Sequence, residues 1–262
     1  MVNNFWFEAK NINCFKNGFR VIKDLSLKIA FSENVILLGP NGSGKSSLIE
    51  VINRNIYPVV ANESKLKIFN KELINLWELR KKISTVNNDI KNRINPNLQV
   101  FDLVLSGLYG RYCFIPNKSK EDLFMVESIM KNMNIANLSK KYFSCLSDGE
   151  KQIALIARAL IKKPEILILD EPIANLDYKS KFSVIDKINE LSKLNTKILC
   201  VTHDISMITS IYDRIIMLKD GEIIGDGHQD NIINRENLKK LYGIDVDVVK
   251  NNGFWTIKRL SK

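Results

Sequence analysis

The sequence predicts an α/β fold. The expected parts are a mainly parallel sheet with flanking helices, an antiparallel β-subdomain at the amino end, and a helical subdomain inserted into the core. Short, nearly unbroken apolar runs predict the sheet: VILLG at 35–39, ILILD at 166–170, KILCVTH at 197–203 and RIIML at 214–218. Runs of that length and character, separated by helical patterns, read as parallel strands covered on both faces. The stretch from Phe5 to Ile29 instead alternates in short segments (FWFEAKNI, LSLKI) and reads as antiparallel strands.

Taken in order, the antiparallel opening is followed by VILLG, which runs into a glycine-rich loop and a helix from about Lys45. Residues from about Asp89 to Cys145 carry helical periodicity and no strong strand, so they read as the helical insertion. Phe182, Ile185, Ile188 and Leu191 recur every third residue, close to helical spacing. At the end, Asn251-Asn252-Gly253 between DVDVV and FWTIK predicts a hairpin. These readings divide the chain into one domain over 1–242, with core segments 1–88 and 146–242 around the insertion 89–145. A short extension follows over 243–262.

The bulk composition suits this. A chain of 262 residues, 45% apolar and 26% charged, can bury a sizeable core. No apolar run approaches the roughly 18 residues of a membrane-spanning helix. The amino terminus MVNNFWFEAK lacks the pattern of a secretory leader, so the expected location is cytoplasmic. Cys14, Cys113, Cys145 and Cys200 are scattered and read as reduced thiols, not as a metal site. The net charge of +10 comes from lysines spread along the chain, and no nucleic-acid partner is expected from it.

Gly39-Pro40-Asn41-Gly42-Ser43-Gly44-Lys45-Ser46 matches G-x-x-x-x-G-K-[ST] between a predicted strand and a predicted helix. Glycines let the backbone turn tightly enough to aim several N–H groups at one phosphate. The helix behind adds unpaired N–H groups and its positive dipole end. Lys45 is then the group that neutralises β- and γ-phosphates, Ser46 a Mg²⁺ ligand, and Ser47 an α-phosphate contact. Asp170 ends an apolar strand, at the edge of the sheet where α/β folds bind ligands, and can hold Mg²⁺. Glu171 follows it as a candidate general base. His203 ends the next apolar run, whereas His228, in GDGHQD, reads as a surface histidine.

Leu146-Ser147-Asp148-Gly149-Glu150, the helix KQIALIARALIKKPE, ILILDEP, Ala174-Asn175-Leu176-Asp177 and VTHD follow one another in an order that closely resembles the ABC ATPase family. The resemblance runs from about Phe5 to Tyr242. It implies ATP and Mg²⁺ as cofactors and His203 as a γ-phosphate contact that holds the attacking water. It implies that Ser147 and Gly149 reach ATP on a second copy in a head-to-tail pair, with Asp177 near the seam. It implies an aromatic on adenine, for which Phe15 is the first candidate and Phe19 the second. It further implies a separate membrane permease as partner, a substrate-binding protein where the system imports, and LSDGE spellings like those of metal-chelate importers. The alternative within the family is a soluble ATPase of a non-transport assembly such as iron–sulfur cluster biogenesis.

Three positions depart from the pattern. Asn88 in ISTVNND stands where the family has a glutamine that senses Mg²⁺, and its side chain is shorter by ~1.5 Å. Asp148 replaces the commoner glycine, and a carboxylate there is expected to turn away and cap the following helix. Ser32 stands where glycine is usual before Glu33.

Overall fold

The computed structural model describes residues 4–193 and 195–259. Residues 1–3, 194 and 260–262, which include the ends of the expected core and extension, lie outside the described residues. The first half comprises β1 (Phe5–Lys16), β2 (Phe19–Ala30), β3 (Val35–Leu38), α1 (Lys45–Ile52), β4 (Lys65–Ile68), α2 (Leu76–Lys82), β5 (Ile83–Val86), α3 (Asn88–Arg93), α4 (Val100–Tyr109) and α5 (Lys120–Asn132). The second comprises α6 (Asp148–Leu160), β6 (Ile166–Asp170), α7 (Tyr178–Leu191), β7 (Lys197–Thr202), β8 (Arg214–Lys219), β9 (Glu222–Gly227), α8 (Gln229–Ile232), α9 (Arg235–Tyr242), β10 (Val246–Asn251) and β11 (Phe254–Arg259). The chain forms two compact units, one from residues up to Arg80 and from Lys197 on, the other from Lys81 to Thr196.

In the first unit, β3 lies between β7 and β8 and is parallel to both, while β9 returns antiparallel beside β8. All four residues of β3 are buried, as a central strand covered on both faces requires. The expected antiparallel subdomain is β2-β1-β4. Its buried residues include Trp6, Phe7, Ile12, Ile22 and Leu25, all at most 1% exposed. Trp6, Phe7, Phe31 and Phe69 form a tilted aromatic cluster with ring centroids 5.7–6.4 Å apart. Three hairpins turn on the same chemistry: Asn17-Gly18, Asp220-Gly221 and Asn252-Gly253 all have positive φ. That is the two-residue turn whose twist matches paired strands.

Asn34 precedes β3 and ties its neighbours together. Its Oδ1 accepts from Ile198 N–H at 2.9 Å, its Nδ2 donates to Ile211 C=O at 3.0 Å, and its own N–H donates to Asp213 Oδ2 at 3.0 Å. The side chain is therefore a buried polar group hydrogen-bonded at both its oxygen and its nitrogen.

In the second unit, β5 and β6 pair in parallel, and β6 is buried from Ile166 to Leu169. Between them in sequence run α3, α4, α5 and α6. α4 and α6 approach so closely at Gly107 that a Cβ there would lie 2.2 Å from the Arg158 carbonyl oxygen. Arg158 is buried and satisfied: Nε donates to Ser106 Oγ at 3.1 Å and Nη2 to Arg111 C=O at 2.8 Å, with the guanidinium over the Tyr112 ring. The helix expected from Phe182 to Leu191 is α7, but its inward stripe is Val184, Ile185, Ile188 and Leu191. Phe182 is 52% exposed. The true 3.6-residue period rotates the stripe away from the three-residue spacing.

Asn34→Ala should lower the free energy of unfolding by about 2–4 kcal/mol, because it strands a buried N–H and a buried C=O. Urea denaturation checks this; a loss below about 0.5 kcal/mol would contradict the role given to the side chain.

Candidate functional site

The first unit builds the phosphate loop. Strand β3 ends at Leu38, and the next residue, Gly39, still donates to Thr202 C=O at 3.2 Å, so the ladder with β7 runs into the loop. Gly39 cannot be anything larger: a Cβ there would lie 2.3 Å from the Leu218 carbonyl oxygen and 2.6 Å from Ser43 Oγ. Gly44 has φ +103°, and a Cβ on it would meet Val21 O at 2.7 Å. The far side of the loop is braced by the β8–β9 turn. Gly221 N–H donates to Ser43 C=O, and Lys23 N–H donates to Gly221 C=O, both at 2.9 Å. Gly221, at φ +84°, also lies against Val21, where a Cβ would sit 2.8 Å from its carbonyl oxygen. The motif therefore has a supporting glycine that sequence spacing does not reveal.

Lys45 is buried, and its ammonium donates to Gly39 C=O at 2.7 Å and Pro40 C=O at 2.9 Å, which holds it across the loop. Ser43 Oγ is buried without a protein partner. An orphaned hydroxyl, a cradle closed to any Cβ and a loop-held ammonium together fit a polyphosphate ligand. Ser46 is exposed at the start of α1 and Ser47 is buried behind it; Asn41 and Gly42 are exposed on the loop's outer side.

His203 follows β7 directly. Because Leu38 and Thr202 are register partners, Gly39 and His203 leave the sheet at the same level. The His203 side chain is exposed, and its carbonyl oxygen accepts from Tyr242 Oη at 2.8 Å. Asp204 caps the short turn that follows by accepting from Ser206 N–H. Phe15 lies near the end of β1, half exposed, beside Lys16, whose ammonium bonds Glu50 on α1 at 2.8 Å. Phe19 is 75% exposed on the other side of the turn.

The second unit carries the carboxylates. Val86 of β5 and Leu169 of β6 are register partners, so Asn88 and the Asp170-Glu171 pair emerge from one sheet edge. Glu171 has φ +51°, a left-handed backbone that a glutamate adopts only under constraint, and such strain collects at functional sites. Asn87 spends its side chain capping α3 through Ile90 N–H, and Asn88, the first residue of α3, is exposed.

The same unit presents the LSDGE turn at the start of α6. Ser147, not Asp148, is the cap: Ser147 Oγ accepts from Glu150 N–H at 3.2 Å, and Ser147 N–H donates to Glu150 Oε2 at 2.8 Å. The expectation that Asp148 caps the helix is thus corrected. Asp148 is already inside the first turn, and serine followed three residues later by glutamate closes a capping box without it. Asp148 points to solvent and pairs with Lys151 at 3.2 Å. The bond from Ser147 holds the Glu150 carboxyl below the usual range. Lys141 and Lys151 sit against these two carboxylates and offset their charge.

Gly149 packs on the first turn of α7, where a Cβ would lie 2.9 Å from Ser180 Cβ. Asp177 caps that helix through Ser180 N–H at 3.0 Å and accepts from Ser180 Oγ at 2.7 Å. These bonds hold its carboxyl below the ordinary value. Among the described residues no cluster of three or more His, Cys, Asp or Glu forms a metal cage.

The family model of the ABC transporter matches residues 22–174. An uncharacterized ABC transporter ATP-binding protein, YmeB, of Lactococcus lactis is 32% identical over 91% of this chain and 93% of its own. The petrobactin import ATP-binding protein YclP of Bacillus subtilis is 28% identical over 92% and 94%. Among solved structures, cbiO1 of Clostridium perfringens, part of the ABC transporter complex cbiONQ, superposes with TM-score 0.77 at 26% identity over 91% of this chain and 94% of that one. The dimeric ATP-binding cassette MJ0796 bound to ADP and Pi superposes with TM-score 0.69 at 27% identity over 85% and 98%.

Lys45→Ala should weaken ATP binding roughly 10–100-fold, the worth of one charge-assisted contact. Fluorescent-nucleotide titration checks it; unchanged affinity would remove Lys45 from the phosphate site.

Proposed function

The chain belongs to the ABC transporter family, in which it is an ATP-binding, ATP-hydrolysing subunit, and from that premise we propose that two copies pair head to tail and drive a separate membrane permease. The observation that carries the catalytic reading is Glu171, held in a left-handed backbone directly after a strand-ending aspartate. In this reading Lys45 neutralises the β- and γ-phosphates while the loop N–H groups of Gly39 to Ser47 bind them. Ser46 and Asp170, with Asn88 in the glutamine's place, hold Mg²⁺, which when bound screens the phosphate charge. Glu171 takes the proton of the attacking water, and His203 holds that water against the γ-phosphate. Phe15 stacks on adenine. Ser147 and Gly149 come from the second copy and donate to the γ-phosphate from a helix start.

One phosphate loop and one LSDGE turn per chain support the pairing, as does the dimeric state of the related cassette bound to ADP and Pi. Among the described residues no helix is long and apolar enough to cross a membrane, so the transport path belongs to a partner in this reading. The importer direction and a metal-chelate cargo rest on the LSDGE spelling and on the relative that serves petrobactin import. In that case a substrate-binding protein completes the system and the subunit works on the cytoplasmic face of the membrane.

Glu171→Gln should cut steady-state phosphate release by about 10²–10⁴-fold while ATP still binds. It should also shift the protein toward a dimer with Mg-ATP in analytical ultracentrifugation. A variant that hydrolyses at the wild-type rate would remove Glu171 as the base.

A further inference from the structure

We propose that Tyr242 is a positioning residue for His203, and that the carboxy-terminal segment from His228 to the β10–β11 hairpin is the brace that holds it. The inference rests on the reading of His203 as the group that contacts the γ-phosphate.

The segment after β7 needs outside support. Between Thr202 and Arg214 it has no helix or strand beyond a single 3₁₀ turn at Ile205–Met207, so no regular ladder fixes its backbone. Its conformation is set where other elements grip it. Tyr242 Oη donates to the carbonyl oxygen of His203 at 2.8 Å. That bond fixes the plane of the peptide following His203, and with it the direction in which the imidazole leaves the sheet edge. Tyr242 is the last residue of α9, and α9 is anchored. Leu238 and Leu241 are at most 1% exposed, and Lys219 on β8 donates to the Lys240 carbonyl at 2.5 Å.

A second grip lies six residues downstream. Gln229, 4% exposed, donates from Nε2 to the carbonyl oxygens of Thr209 (3.3 Å) and Tyr212 (3.2 Å). Its Oε1 accepts from Trp255 Nε1 at 2.9 Å, and Trp255 is buried in the hairpin. The hairpin strand β11 packs directly on the turn at Ile205–Met207. Residues far along the chain thus hold the segment at the histidine and at points after it. All of these bonds lie within one unit, with the phosphate loop.

The test uses the full-length chain. Tyr242→Phe removes one hydroxyl and leaves the ring. Its kcat for ATP hydrolysis is expected to fall about 3–10-fold, what one net hydrogen bond amounts to, with KM for ATP and the melting temperature unchanged. Trp255→Phe, which removes the indole N–H together with part of the buried ring at the far end of the grip, should lower kcat by a smaller factor. A purely structural role would instead lower the melting temperature and spare kcat, and that outcome overturns the proposal. So does a Tyr242→Phe enzyme with wild-type kcat beside an inactive His203→Ala. If His203→Ala itself hydrolyses ATP normally, the assignment of His203 falls and the inference falls with it.

Discussion

Within each unit parallel strands run in one direction, so the residues that follow them leave on one edge, and the chemistry of this chain depends on that constraint. Backbone register makes it concrete: Leu38 opposite Thr202 brings Gly39 and His203 to one level, and Val86 opposite Leu169 lets Asn87-Asn88 and Asp170-Glu171 leave side by side. The strands themselves are apolar almost to the last residue, and polar groups begin where the ladder stops. At the opposite end of β3, Asn34 spends its side-chain oxygen on β7 and its side-chain nitrogen on the segment leading into β8. A shift of β7 by one residue would break the bond from Ile198 and move His203 away from the loop.

Close backbone approach is the second organising element. The phosphate loop is shaped less by its own length than by what lies against it: Leu218, Val21 and the turn at Gly221 leave no room for side chains at 39 and 44. That packing keeps the N–H groups oriented without relying on a ligand, the kind of preorganisation that electrostatic catalysis uses. The LSDGE turn shows the same economy, since Gly149 lets α6 sit on the first turn of α7 and a capping box spends both partners locally.

Much of this was legible in the sequence because it depends on neighbours along the chain. The apolar runs announced β3, β6, β7 and β8, and the glycine-lysine-serine spacing announced the loop at the end of one of them. What stayed hidden depends on distant residues. Gly221 as the loop's support needs the β8–β9 turn to fold back on β2, and Tyr242 at His203 needs α9 to dock, neither of which leaves a local pattern. Asp148 has the residue type of a cap, yet the capping box in the spelling runs from Ser147 to Glu150, one residue earlier. Phe182 misled because a spacing of three approximates a period of 3.6 only over short stretches.

In the proposed function each ATP is closed by two molecules, and mixing inactive variants tests that claim directly. Lys45→Ala chains keep an intact LSDGE turn, and Ser147→Ala chains keep an intact phosphate loop. A head-to-tail pair of one with the other contains one whole site, so the mixture should hydrolyse ATP well above either variant alone. A mixture no more active than its components would contradict the shared site and require each molecule to work on its own nucleotide.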